Sequence, residues 1–417
     1  MGIICNEKRK KIIVLEKKQK VLDNNICIGH EKIIYCIIEL NSGEIATGSD
    51  DLTIKIWDID SKTCKRSIKD EDKILCLLEF KKNKLLAGNN NNHINLWNIN
   101  DPDSSKYICT FKDHSSSINC LVKINDELFA SGSNDKSIRI WNFSNKTCIK
   151  ALKGHKNNIC SLALLLDGKL CSGSDDCFIK IWNLKNYSCY KTLKEHTKPV
   201  KCVYQLSNGY IISGAKDKLI IWLHVLDFGY RKLYELDGHK GIIYSICKIS
   251  DSIFASSSSD KTIKIWDTKT IECIETLELG STNENDIDND IIPIIYHSSG
   301  KLISSSKDNK FIILKNNIEN LYQSQIVVAN EKINLTFQCV SGCCTQICTD
   351  NDKSLNEVIN EYFIKTGHNK SCDINNFHFL FCGNKLDTNS KEKIKDFVKD
   401  NNELVIVVWD SKGVTKK

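Results

Sequence analysis

No run among the 417 residues is long and apolar enough to resemble a membrane-spanning helix. No stretch of Lys and Arg is dense enough to suggest nucleic-acid binding by charge alone. The N-terminus resembles no secretory signal, because "MGIICNEKRKKIIVLEKK" runs into charge after five residues. Together these absences point away from a membrane span, a secreted protein and a nucleic-acid binder. What remains is 41% hydrophobic and 26% charged, with a net charge of only +6 and both signs interleaved. That is the composition of a soluble globular chain, and 417 residues suit layers added along an axis better than one ordinary core.

Cysteine is abundant, with 21 residues, and it follows a period. Cys64, Cys148, Cys189 and Cys273 each lie seven residues after a Trp, and Cys36, Cys120 and Cys202 each lie six after a His. Periodic cysteine of this kind reads as a small buried hydrophobe in a reducing compartment, not as a disulfide framework. The tryptophans give the period itself. Trp57, Trp97, Trp141, Trp182, Trp222 and Trp266 are 40, 44, 41, 40 and 44 residues apart. A further unit, "SSKDNKFIILKN", has Leu314 at the Trp position 48 residues on, with the extra length in the polar stretch at 281–290. Within each unit short alternating runs such as "SINCLVKI" and "SIRIWNF" are separated by Gly, Asn, Asp and Ser turns. Four short strands per roughly 40 residues predict a propeller blade.

The units resemble WD40 repeats over about residues 18–316, on Gly29-His30, Gly154-His155 and Gly238-His239 paired with Trp57-Asp58, Trp182-Asn183 and Trp266-Asp267. The resemblance implies a buried network in each blade: His to a turn Asp, then Ser or Thr, then the Trp indole. Position by position these are His30, Thr47, Asp51 and Trp57; His114, Ser131, Asp135 and Trp141; His155, Ser172, Asp176 and Trp182; and His239, Ser256, Asp260 and Trp266. His196, Ser213, Asp217 and Trp222 complete a fifth set, although Asp217 lies one residue too close to Trp222. The second unit has Asp70, Ala87 and Asn91 instead, so only Trp97 survives, and the seventh keeps only Ser304 and Asp308. Those two blades are expected to be held by apolar packing and to be the softest. His, Ser and Asp together invite a hydrolase reading, but one active site does not need five copies at one spacing. The sets are read as structural and the chain as no enzyme.

Seven units imply a closed seven-bladed ring, and the resemblance implies that its last blade takes its outer strand from the N-terminus, with residues 18–28 pairing with the strands of 291–315. In this family the residue before the turn Asp often points to the top face. The resemblance thus offers Asp50, Asn90, Asn134, Asp175, Lys216, Ser259 and Lys307 as partner-binding positions. Their mixed charge suits a polar protein or peptide partner.

After about residue 333 the repeat stops. Two strands around Ser341-Gly342 read as a hairpin. The apolar positions Leu355, Val358, Ile359, Tyr362 and Phe363 predict a helix, with Ser354 as N-cap, Glu357 three residues on and Gly367 at the end. "FHFLFCGNKLD" and "ELVIVVWD" supply later strands. The segment "FLFCGNKLD" is similar to the strand and turn that follow the helix of ubiquitin, so the tail resembles a ubiquitin-like α+β domain of the β-grasp class. Its relatives that are conjugated end in Gly-Gly, whereas this chain ends "WDSKGVTKK", so a docking module is expected and not a modifier. By analogy with ubiquitin, Val340, Leu380 and Val407 would form its partner-binding patch.

Cys339, Cys343, Cys344, Cys348, His368, Cys372, His378 and Cys382 crowd into the tail, but none has the CxxC spacing of zinc knuckles, and hairpin strand positions explain them more simply. No metal or cofactor is expected. Gly2, Cys5 and the basic run behind them are candidate lipidation positions, for which a flexible basic tail is the duller alternative.

The expected organisation is a basic tail at 1–17, a seven-bladed mainly-β propeller at 18–316, a linker at 317–332, the ubiquitin-like domain at 333–411 and a short tail at 412–417. The expected function is a non-enzymatic adaptor, a monomeric ring within a larger complex. It would bind a protein or peptide on the ring and ubiquitin-pathway machinery, such as a proteasome subunit or ligase component, through the tail. Its expected site is the cytoplasm, or the nucleus. The alternative is an acylated, membrane-tethered signalling scaffold, with membrane contact only if the N-terminus is acylated.

Overall fold

The computed structural model describes residues 26–27, 29–101, 106–225, 229–279, 292–305, 311–316, 332–339, 344–350, 377–381, 384–385 and 403–410. Every regular element among them is a β-strand. Two compact units are present, Met1–Trp222 with Lys232–Glu319, and Leu223–Arg231 with Asn320–Lys417.

Six blades are each built from four consecutive antiparallel strands. Blade one is Ile34–Glu39, Ile45–Ser49, Thr53–Asp58 and Thr63–Lys69; blade two is Ile74–Lys81, Lys84–Asn89, His93–Asn98 and Cys109–Lys112. Blade three is Ile118–Lys123, Leu128–Ser133, Ser137–Asn142 and Thr147–Lys153; blade four is Ile159–Leu164, Leu170–Ser174, Ile179–Asn183 and Ser188–Leu193. Blade five is Val200–Gln205, Ile211–Ala215, Leu219–Val225 and Gly229–Leu236; blade six is Ile243–Lys248, Ile253–Ser258, Thr262–Asp267 and Glu272–Glu278.

Burial explains the strand composition. Second strands such as "IATGS" are buried at every residue, because neighbouring blades cover both faces, so they read as small and apolar without alternation. Fourth strands such as "TCKRSIK" are mostly exposed and carry the charge. The first strands pack against one another around the ring. Cys76 Sγ reaches Ile118 O at 3.5 Å and Cys202 Sγ reaches Ile243 O at 3.5 Å, each stitching one blade to the next. Serine does the same in blades four and six: the backbone N–H of Val203 donates to Ser161 Oγ and that of Ile294 to Ser245 Oγ. The second-strand glycines make room for these side chains. A Cβ at Gly132 would lie 2.6 Å from Cys120 Sγ and 2.5 Å from Ile159 Cγ2.

The cysteines therefore divide. Cys36, Cys120 and Cys202 face the packed interior between blades, and burial pushes the Cys36 thiol up to about 12. Cys64 and Cys189 are exposed, and Cys148 and Cys273 half-buried. The reading of all periodic cysteines as buried hydrophobes is corrected for these four: each turns its thiol to the carbonyl two residues on, at 3.2–3.7 Å.

The expected seven-bladed ring is corrected to six blades. The remaining four-stranded sheet of this unit is composite, with Ile294–Tyr296, Lys301–Ser305 and Phe311–Asn316 joined by the two-residue strand Ile26–Cys27. It carries neither the His of five blades nor the Trp of all six. Its N-terminal strand pairs Ile26 with Ile312 and Cys27 with Phe311. His297 Nε2 bonds Gly43 O at 2.9 Å, and Ser298 N–H donates to Glu39 at 3.0 Å, which seats this sheet against blade one.

The second unit holds one five-stranded sheet in the order Cys344–Asp350, Lys332–Cys339, Glu403–Asp410, Phe377–Phe381, Asn384–Lys385. Lys332–Cys339 runs parallel to Glu403–Asp410 and antiparallel to Cys344–Asp350. The assignment of an α+β ubiquitin-like domain is corrected: the described elements are all strand, and the helix expected over 354–367 lies outside the described residues. The fold class is mainly β.

Candidate functional site: the mouth of the ring

Five blades carry the four-membered network, deep in the structure. In blade four His155 Nδ1 meets Asp176 Oδ2 at 2.8 Å and Nε2 meets Ser172 Oγ at 2.8 Å, while Trp182 Nε1 donates to the same Oγ at 2.8 Å. Asp176 also accepts the backbone N–H groups of Lys156 and Phe178. Blades one, three and six repeat this geometry through His30, Thr47, Asp51 and Trp57; His114, Ser131, Asp135 and Trp141; and His239, Ser256, Asp260 and Trp266. The His155 side chain is 0% exposed, so no substrate reaches it. Each network locks a loop to a turn.

Burial alone would raise the pKa of Asp176, but the hydrogen bond from His155, the Lys156 N–H and the histidine's charge outweigh it and bring it down to about 2. Asp51, Asp135, Asp217 and Asp260 are lowered in the same way.

Blade five explains how its missing residue is absorbed. In the other blades the residue after the turn Asp or Asn is left-handed: Leu52, Asn92, Lys136, Cys177 and Lys261 have φ of 65–72°. Blade five lacks that residue, and its turn closes with Ala215 N–H donating to Lys218 O at 3.2 Å. His196 still reaches Asp217 at 2.9 Å and Ser213 at 2.8 Å, and Trp222 still donates to Ser213 at 2.8 Å.

Blade two corrects the expectation of purely apolar packing. Asp70, at the histidine position, accepts the Trp97 indole N–H at 3.0 Å and Asn95 Nδ2 at 2.8 Å, and Thr110 donates to Asn95 Oδ1 at 2.8 Å. Burial raises the Asp70 pKa against the pull of the Glu71 N–H, Trp97 and Asn95. The signal was Asn95, where blades one, three, four and six have Lys or Arg. In the composite sheet Ser304 donates to Pro293 O and Ser305 O, and Asp308 lies outside the described residues.

At the ring mouth, the first strand of each blade carries an irregularity in register. It falls between Ile34 and Cys36, Ile74 and Cys76, Ile118 and Cys120, Ile159 and Ser161, Val200 and Cys202, and Ile243 and Ser245. A bulge re-aims the residue inside it. Those residues are Tyr35, Leu75, Asn119, Cys160, Lys201 and Tyr244, and all six line one cavity of about 270 Å³ together with Asn134, Asn158 and Asp175. Sequence reasoning missed them, although each lies five residues after the network His, or after Asp70 in blade two.

Of the expected top-face positions, Asn134 and Asp175 line the cavity. Asp50 stands beside it, accepting the Tyr35 hydroxyl at 3.3 Å and pairing with Lys73 at 2.5 Å. Asn90 and Lys216 are exposed away from it, Ser259 Oγ is turned to the Ile242 N–H, and Lys307 lies outside the described residues. Asp175 is saturated by Lys201 at 2.5 Å, Cys160 Sγ at 3.1 Å and Asn158 Nδ2 at 3.2 Å. Burial pushes the Cys160 thiol up to about 12, against the pull of Lys201, which leaves it un-ionised at neutral pH.

In the C-terminal unit, Leu380 and Val407 are register partners on neighbouring strands, and Val340 lies outside the described residues. So do Gly2 and Cys5. No group of three or more His, Cys, Asp or Glu side chains able to hold a metal occurs among the described residues. No helix among the described residues is long and apolar enough to cross a membrane.

Residues 23–58, 105–142, 146–183, 187–222 and 230–267 match the family described as "WD domain, G-beta repeat", and these stretches make up less than half of the chain. They coincide with the five blades that carry the complete network. The propeller of this family is a non-catalytic protein-interaction fold. The chain is also 48% identical over 52 residues to a protein of Anopheles gambiae named "Ribosome biogenesis protein BOP1 homolog". That similarity covers 12% of this chain and 6% of that relative.

Proposed function

We propose that the chain is a non-catalytic interaction scaffold that holds a protein or peptide partner at the mouth of its ring. The observation behind this is the cavity built by bulged residues from six separate blades. Bulges cost regular pairing, and six of them aim their side chains at one opening. Crosslinking mass spectrometry on the native complex of the full chain tests it. Partner crosslinks should concentrate on Lys73 and Lys216, on the end of the blades that holds the turn acids. Crosslinks confined to Lys62, Lys146 and Lys185, at the other end of the blades, would overturn the reading.

A second contact is proposed for the C-terminal sheet, toward ubiquitin-pathway machinery such as a proteasome subunit or ligase component. The register that sets Leu380 opposite Val407 favours it, because two neighbouring apolar positions suit a small docking patch. Leu380→Ala is expected to weaken capture of such a partner by about 1–2 kcal/mol in a pull-down titration, with the melting temperature nearly unchanged. A large loss of stability with unaltered capture would show that Leu380 serves the core of that unit.

A further inference from the structure

The ring mouth is two-sided. Going round it, Tyr244, Tyr35 and Leu75 come from blades six, one and two, and Asn119, Cys160 and Lys201 from blades three, four and five. Between Tyr244 and Tyr35 stands the composite sheet, whose described first strand, Ile294–Tyr296, shows no such irregularity and sends none of its described residues into the cavity. One arc is therefore aromatic and aliphatic, and the opposite arc is polar.

The charges on the polar side are already spent. Lys201 is paired with Asp175, and Asp50, behind Tyr35, is paired with Lys73. Among the described residues lining the mouth, an entering cationic side chain would find no unpaired carboxylate and an anionic one no unpaired ammonium. Either would lose its hydration without compensation.

The asparagines offer what the ion pairs do not. Asn119 Nδ2 donates to Asn134 Oδ1 at 2.7 Å and to Ile159 O at 2.8 Å. Asn119 Oδ1 and Asn134 Nδ2 then have no hydrogen-bond partner among the described residues. That leaves one acceptor and one donor on two hydrogen-bonded side chains that both line the cavity, the two functions a carboxamide needs. The asparagines are also fixed in place, since one bonds the other and a neighbouring blade's backbone.

We propose that the mouth receives one neutral amphipathic side chain of a partner peptide, that of a glutamine. Its methylene stem lies on Tyr35, Leu75 and Tyr244, and its amide meets Asn119 and Asn134. This deepens the interaction reading and rests on it. A volume of about 270 Å³ suits a single side chain, not a helix or a folded element.

The test is a library of acetylated nonapeptides with randomised flanks and a central position varied through all twenty residues, screened on the full chain. Central glutamine should be enriched about tenfold over lysine, arginine and glutamate, the yield of two modest hydrogen bonds. Asn134→Leu should erase that preference without moving the melting temperature. Leu75→Asp, which adds an unpaired carboxylate, should transfer the preference to lysine and arginine. Enrichment of lysine or arginine by the unaltered chain, glutamine preference surviving Asn134→Leu, or no central preference at all would each overturn the proposal. The scaffold reading stands or falls separately, on the crosslinking result.

Discussion

Replacing Trp141 by Ala is expected to lower the stability of the ring by about 3–5 kcal/mol, the range for emptying a large aromatic site in a packed core. Trp141 is 1% exposed, stacked on Phe129 at 6.1 Å and edge-on to Phe111 at 5.6 Å. It belongs to a cluster that includes Leu86, Ile94 and Phe80 of blade two, so the cavity would open at a contact between two blades. The same change removes the indole N–H that Ser131 accepts at 2.8 Å. Trp141→Phe separates the two contributions. It keeps most of the packing and loses the hydrogen bond, and should cost roughly 1–2 kcal/mol. Urea titration followed by fluorescence and by circular dichroism gives the midpoints. A loss below about 1 kcal/mol for Trp141→Ala would mean that Phe111 and Phe129 close over the site.

That blade was legible because a propeller repeats one supersecondary unit. The Trp period, the His-to-Asp spacing and the turn clusters all state the same geometry several times. Where the sequence departs from the period, legibility depends on whether the local physics has one solution or several. The shortened turn before Trp222 reads as a defect, yet it merely drops the left-handed residue that the longer turns need. Asp70 reads as a loss of the network, yet a carboxylate can take the indole N–H directly once Asn95 and the Glu71 N–H share its charge. Such substitutions are hard to foresee because partners from two strands must change together.

The composite sheet and the tail fail for a different reason. Counting "SSKDNKFIILKN" as a seventh unit follows spacing together with Ser304 and Asp308, but that sheet lacks the network His and Trp; the expected pairing of residues 18–28 with 291–315 is met at Ile26–Cys27. The tail hairpin was legible from Ser341-Gly342 between alternating runs, and Lys332–Cys339 does pair with Cys344–Asp350. The α+β assignment depended on an order of strand, strand, helix, strand, strand whose helix rests on the periodicity over 354–367, beyond the described residues, and on likeness to one strand and turn with the last strand at a fitting distance. For the ring mouth, the expected positions Asn134 and Asp175 follow from the turn Asp. The six bulged residues had an equally fixed place five after the His, hidden because their identities differ from blade to blade. A position that packs must repeat its residue; one that reads a ligand need not.

His155→Leu is the second large effect, at about 3–5 kcal/mol, the cost of leaving a buried carboxylate without the partner that held it. Asp176 is left 5% exposed, holding only the N–H groups of Lys156 and Phe178. Replacing both, as His155→Leu with Asp176→Leu, should be less destabilising than the single change, because no carboxylate is then stranded. A double variant no more stable than the single one would show that Asp176 is adequately solvated without its histidine. Acid titration supplies an independent reading. The Asp176 carboxyl falls from 3.8 to about 2 on folding, so its contribution is fully present above pH ~4 and is lost as pH falls toward and through about 2. Asp51, Asp135, Asp217 and Asp260, lowered in the same direction, lose theirs on the same side of the scale. Without His155 the burial of Asp176 is opposed only by backbone donors, so its pKa should rise and the acid unfolding midpoint of the single variant should move to higher pH. In the double variant that shift should disappear.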